Sequence, residues 1–94
     1  MPREPQLVKV VLTANLQKYY PNREFQIEAG TILELLQKMD EVRPQFSSYI
    51  LEDDLTVRKH VNLFLNNCVL AKNKIRTELK SGDTLHIMQA LSGG

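Results

Sequence analysis

Few side chains in this 94-residue sequence stand where chemistry could use them. His60 and His86 could ligate a metal, but two imidazoles do not complete a four-coordinate site, and neither HExxH nor HxH spacing occurs. Strand alternation places both at outward positions. Cys68, the one thiol, could be a nucleophile. Nothing beside it in sequence would lower its pKa, so it reads as a small apolar side chain. A single cysteine also excludes an intramolecular disulfide and any Cys-only zinc or iron–sulfur site. Glu52-Asp53-Asp54 lacks the ligand spacing of a calcium loop and reads as a solvated surface. There is no Walker loop and no GxGxxG, so no nucleotide site is indicated; Gly30 and Gly82 read as turn formers. No self-contained enzyme emerges from these residues.

The sequence Leu91-Ser92-Gly93-Gly94 is different. Chain ends fray, and glycine frays readily, which is the plain explanation of a Gly-Gly end. Its place two residues after a strong strand suggests more. Glycines without Cβ atoms on a rigid body make a thin probe that can enter a channel any side chain would block. A terminal carboxyl titrates near pH 3.3–3.7 and is ionised at neutral pH. Such a carboxylate can attack the α-phosphate of ATP held by a partner, leaving an acyl-adenylate open to a sulfur or nitrogen nucleophile.

The elements that must position this end follow from periodicity. Residues 1–6 hold Pro2 and Pro5 and nothing apolar to bury, so they are expected to form a loose tail. LVKVVLT, residues 7–13, is rich in β-branched residues, with Val8, Val10 and Leu12 inward and Lys9, Val11 and Thr13 outward. ANLQKYYPNR reads as a loop turning at Pro21-Asn22. EFQIE, residues 24–28, alternates with Phe25 and Ile27 inward and should pair with the first strand as an antiparallel hairpin. Thr31-Ile-Leu-Glu34 fits a capping box. It opens a helix whose apolar stripe is Ile32, Leu35, Leu36, Met39 and Val42, stopped by Pro44. A shorter helical turn is expected to begin at Pro44, with Phe46, Tyr49 and Ile50 apolar, followed by a charged connection. In HVNLFLN, residues 60–66, Val61, Leu63 and Leu65 point inward, and His60, Asn62, Phe64 and Asn66 outward. Asn66-Asn67 makes a tight turn into a short strand at 68–70. Ile75 and Leu79 anchor an irregular link. After a turn at Ser81-Gly82-Asp83, residues 84–90 form the last strand, with Leu85 and Ile87 inward.

Length allows one small domain, 7–90, between the tails 1–6 and 91–94, with one sheet layer on one long helix. The other face of the sheet stays free. Twelve Lys+Arg against eleven Asp+Glu leave a net charge of +1, which lacks the positive field that phosphate binding needs and argues against nucleic acid as a partner. Hydrophobic residues at 43% and charged residues at 24% argue against disorder. No apolar run approaches bilayer length, and MPREPQ has no signal-peptide core, so a reducing, cytoplasmic setting away from membranes is expected.

The strand–strand–helix–strand order, the HVNLFLNN and SGDTLHIMQ blocks and the terminal ALSGG resemble the ubiquitin-like β-grasp sulfur carriers. That family includes the small subunit of molybdopterin synthase, the thiamine sulfur carrier and a carrier for a cysteine synthase. The resemblance spans residues 7–94. Its most specific part is the combination of polar-Gly-Asp turn, hydrophobic last strand and Gly-Gly. The segment at 44–58 is closer to the molybdopterin and cysteine-synthase carriers than to the shorter thiamine carrier. The implied fold is an α+β, ubiquitin-like β-grasp with a mixed sheet of four to five strands packed on one main helix. The implied function is that of a protein cosubstrate rather than an enzyme: Gly94 is adenylated, converted to a thiocarboxylate and made to donate sulfur in cysteine, molybdopterin or related cofactor synthesis. Gly93 gives the tail access, and Leu91 matches the family's apolar anchor before the glycines. The resemblance implies an adenylating partner of the ubiquitin-activating type, which holds ATP and magnesium, and a sulfur-accepting biosynthetic enzyme. Where residues follow Gly94, it adds a C-terminal-processing metalloprotease. This chain itself is expected to bind neither a cofactor nor a metal.

The free face offers an independent handle. Val11, Phe64 and Met88 fall at outward positions, Val69 joins them, and large apolar groups there suggest a partner surface. The alternative is that the N-terminal tail or the 44–58 segment covers Phe64 or Met88. In the molybdopterin synthase small subunit, the Met88 and Val69 positions are partner-facing; Thr13 is polar where that subunit is aromatic. Three alternatives use the same sequence: a molybdopterin synthase small subunit, a ubiquitin-like modifier conjugated to lysines, and a binding module whose Gly-Gly is accidental.

Overall fold

The structure is a computed structural model that describes residues 7–13, 16 and 20–89. The expected tails 1–6 and 91–94 and most of the segment 14–19 lie outside the described residues.

Alternation in the first segment buries Val8, Val10 and Leu12 completely and makes Leu7–Leu12 strand β1. It pairs antiparallel with β2, Glu24–Glu28, in register Val10 with Phe25 and Val8 with Ile27. Phe25 and Ile27 are half-buried rather than sealed, because β2 is an edge strand. Helix α1, Ile32–Val42, lays Ile32, Leu35, Leu36 and Met39 into the core. Its cap differs in detail from the expected box. The Glu34 N–H donates to Thr31 Oγ1 at 3.1 Å, but the Glu34 carboxylate accepts from the N–H of Gly30 at 2.5 Å, not from that of Thr31. Thr31 is extended and bridged to Glu78, and the carboxylate reaches one residue further back.

Val42, expected on the buried stripe, is 57% exposed. The helix ends there with Arg43 as its cap, and the core beyond the last turn is filled by Phe46 and Ile50 instead. The second helical piece is a 3₁₀ turn, Phe46–Tyr49, that begins two residues later than Pro44 because Gln45 takes a left-handed backbone (φ 70°). Asp40 ties it to α1: its carboxylate accepts from the Ser47 N–H at 2.7 Å and hydroxyl at 2.6 Å. The expected loop before β2 also does more than connect. Leu16 and Tyr20 are buried, Tyr20 stacked on Phe25 with ring centroids 4.9 Å apart and edge-on to Phe46 at 5.1 Å. Burial raises the Tyr20 hydroxyl above its ordinary pKa.

Strand β3, Val61–Leu65, turns through Asn66 and Asn67, both at positive φ, into the short β4, Cys68–Val69. Leu65, expected inward, is half-buried near this edge. Where β4 runs out, Lys72 covers the exposed edge of β3: its ammonium donates to the Val61 carbonyl, to Asn62 Oδ1 at 3.0 Å and to the Arg58 carbonyl at 3.2 Å. Ile75 and Leu79 anchor the link as expected. Strand β5, Thr84–Gln89, then enters the middle of the sheet, giving the order β2-β1-β5-β3-β4. It is parallel to β1 and antiparallel to β3, so the five-stranded sheet is mixed. This is the ubiquitin-like β-grasp arrangement. No helix among the described residues is long and apolar enough to cross a membrane.

Candidate functional site

Strand β5 organises the site because Leu85 and Ile87 are sealed in the core, which turns Thr84, His86 and Met88 to the opposite face. Its start is clamped. Asn66 Nδ2 donates to Asp83 Oδ1 at 2.9 Å, Asn66 Oδ1 accepts from the Thr84 N–H at 2.9 Å, and Asp83 Oδ2 accepts from the Lys80 N–H at 2.8 Å. Gly82 supplies the positive φ (92°) of the turn. The far end is held by Thr13, whose N–H donates to the Ile87 carbonyl at 3.2 Å and whose hydroxyl accepts from the Gln89 N–H at 3.4 Å. The strand that leads into residues 90–94 is thus fixed at both ends.

Register then assembles the outward face. Val69 of β4 pairs with Phe64 of β3, Phe64 with His86 of β5, His86 with Val11 of β1, and Val11 with Glu24 of β2: one row across all five strands. Met88 lies in the adjoining row opposite Asn62. Val69 is 60% and Met88 42% exposed, and Val11 and Phe64 are half-buried. All four expected docking residues therefore share one face. The 44–58 segment sends Phe46, Ile50, Leu51 and Val57 into the core, and the N-terminal tail lies outside the described residues. The β2 end of the row is polar, with Lys9 Nζ 2.7 Å from Glu24 Oε1. That hydrogen bond and charge hold the Glu24 carboxyl below its ordinary pKa.

Leu91, Gly93 and Gly94, the other expected site residues, lie outside the described residues. Sequence reasoning missed the positioning roles of Asn66, Asp83 and Thr13 and the central place of His86. The Asn-Asn and Ser-Gly-Asp turns were visible, but not that they hydrogen-bond one another. Among the described residues, no group of three or more His, Cys, Asp or Glu could hold a metal. Cys68 is exposed on the edge strand. The carboxylate run is used structurally: Glu52 pairs with Arg58 at 2.6 Å, and Asp54 accepts from the Thr56 hydroxyl at 2.6 Å, which lowers the Asp54 pKa. The described residues bring together a largely apolar face beside a fixed strand end rather than a set of reacting groups.

The sequence pattern of the ThiS family matches residues 10–94. No curated protein sequence matches the chain. Among solved structures, small archaeal modifier protein 1 from Methanosarcina acetivorans is similar at TM-score 0.79 and 23% identity, covering 98% of this chain and 100% of that one. A chain in the BexX/CysO complex of Amycolatopsis orientalis is similar at TM-score 0.81 and 20% identity, covering 93% and 99%. Urm1 from Trypanosoma brucei is similar at TM-score 0.70 and 16% identity, covering 99% and 100%. At these identities the likeness establishes the shared fold.

Proposed function

The chain belongs to the ThiS family, and from that premise we propose that it carries sulfur as a thiocarboxylate on Gly94. It is a small carrier protein, not itself an enzyme. In this reading a partner of the ubiquitin-activating type holds ATP and magnesium. A carboxylate oxygen of Gly94 attacks the α-phosphorus, pyrophosphate leaves, and an acyl-adenylate forms. Hydrosulfide sulfur then attacks the acyl carbon and expels AMP, leaving –C(=O)S⁻. A biosynthetic enzyme making cysteine, molybdopterin or a related cofactor takes that sulfur. Gly93 lets the arm pass a narrow channel because it has no Cβ, and Leu91 anchors the arm at the channel mouth.

The observation that supports this best is the apolar row of Val69, Phe64 and Val11, with Met88 beside it, on the sheet face whose central strand runs into residues 90–94. A partner that takes the arm can bury that face at the same time. The test is intact mass after incubation with ATP, the adenylating enzyme and a sulfur donor. Exchange of one oxygen for one sulfur at the C-terminus is expected. An unchanged mass with an enzyme that adenylates the chain overturns the proposal. A thiol-resistant ladder of higher-mass species marks a lysine-conjugated modifier instead, and stable co-purification with a larger subunit marks a molybdopterin synthase subunit.

A further inference from the structure

Residues 52–56 close a hairpin loop. The Glu52 N–H donates to the Thr56 carbonyl at 2.8 Å, and the Leu55 N–H to the Glu52 carbonyl at 2.9 Å. Leu55 ends the loop in the left-handed region, at φ 66°. Three-residue hairpin loops give that position to glycine, because a Cβ there crowds the backbone. Of the four non-glycine residues at positive φ among the described residues, Leu55 alone is apolar. Its side chain is 40% exposed and is not among those packed against the core, so burial does not offset the strain. Strain kept without burial points to a role outside the fold. Glu52 is held by Arg58 and Asp54 by Thr56. Asp53 between them is exposed and has neither hydrogen bond nor ion pair among the described residues.

The loop is tied to the end of the sheet at which β5 runs into residues 90–94. Gln89 pairs with Val61, the Val61 N–H donates to the Arg58 carbonyl at 3.0 Å, and Val57 is bridged to Leu51 at the base of the loop. Along that path Leu55 lies at most about 23 Å from Gln89. Residues 90–94, fully extended, span at most about 17 Å. A specific interface covers about 800 Å² of each partner, a patch about 30 Å across. An enzyme holding Gly94 is therefore wide enough to meet the loop as well. Adenylation is the step that the sulfur-carrier and lysine-modifier readings share, so the adenylating enzyme must recognise the chain in either. Resting on the sulfur-carrier reading, we infer that the loop 52–56 is a second docking element for that enzyme, with Leu55 seated in an apolar pocket and Asp53 against its cationic rim. A contact away from the sheet face also fixes how the body is turned about the arm.

The test is ATP–pyrophosphate exchange by the adenylating enzyme of the same genome, with the full chain as the varied substrate, alongside thermal melting of each variant. Asparagine tolerates a left-handed backbone, so the melting temperature of Leu55→Asn is expected to equal or exceed that of wild type. Losing the seated leucine is expected to raise KM about three- to eightfold, in proportion to the side-chain surface left open in the free chain, with the change in KM rather than kcat. Leu55→Met, still apolar, should recover most of that loss. Asp53→Lys should raise KM more at low salt than at high. An unchanged KM for Leu55→Asn overturns the proposal. So does a fall in its melting temperature, which would give the leucine a structural role. A KM for Asp53→Lys that ignores salt overturns the cationic rim. Absence of exchange with wild type, or exchange that survives deletion of Gly93 and Gly94, instead overturns the sulfur-carrier reading and the docking element with it.

Discussion

Lys9 and Glu24 show how one register pairing decides a side chain's chemistry. Their strands place the two on the outward face, and the ammonium hydrogen-bonds the carboxylate. Glu24 accordingly titrates below its ordinary value of 4.5. A carboxyl whose folded pKa is depressed contributes stability above its unfolded pKa and loses that contribution as pH falls through the folded one. Both partners are solvent-exposed, so the readout is the titration and not the stability. Carboxyl carbon NMR is expected to place the Glu24 midpoint below 4.5, with Lys9→Met returning it toward that value. A midpoint unmoved by the substitution would mean the ion pair does not form. Asn66 and Asp83 work at the same scale. Each was legible as a turn former, but their hydrogen bond joins residues 17 apart, a separation no local pattern reveals.

At the scale of elements, the period-two patterns of β1, β3 and β5 were readable because one face of each is sealed and the other is not. The segment between α1 and β3 was not. Its Phe46 sits under Tyr20 and against Tyr49, rings brought together from two stretches of chain. Tyr20 looked like part of a loop because one of the two aromatic rings packed on it, Phe46, lies 26 residues later. Val42 fits the helical stripe and still faces solvent, since periodicity fixes a face but not where the core ends. Lys72 reads as an ordinary surface lysine until β4 proves too short to cover Val61. Truncating Phe46→Ala removes a fully buried ring and should cost about 3–5 kcal/mol, a large share of the stability of a small domain. Urea denaturation measures it. A loss below about 1 kcal/mol would show that the 44–58 segment does not share the core.

For the whole molecule, body and arm are expected to separate experimentally. The core closes with Leu85 and Ile87. Deleting Gly93 and Gly94 should therefore leave stability within about 0.5 kcal/mol of wild type, as for surface changes, while abolishing sulfur loading. Thermal melting and intact mass on the same sample read the two effects. A large drop in melting temperature would mean that those residues belong to the folded body.

The strand order carries one more consequence. β5, made last, is the strip that joins the β1–β2 hairpin to the β3–β4 hairpin. While a ribosome is still producing residues before Thr84, the two hairpins have no seam between them, and such distant pairings are slow to form. A prematurely released polypeptide cannot close its sheet. Closure of the sheet therefore waits until Thr84–Gln89 has been synthesised.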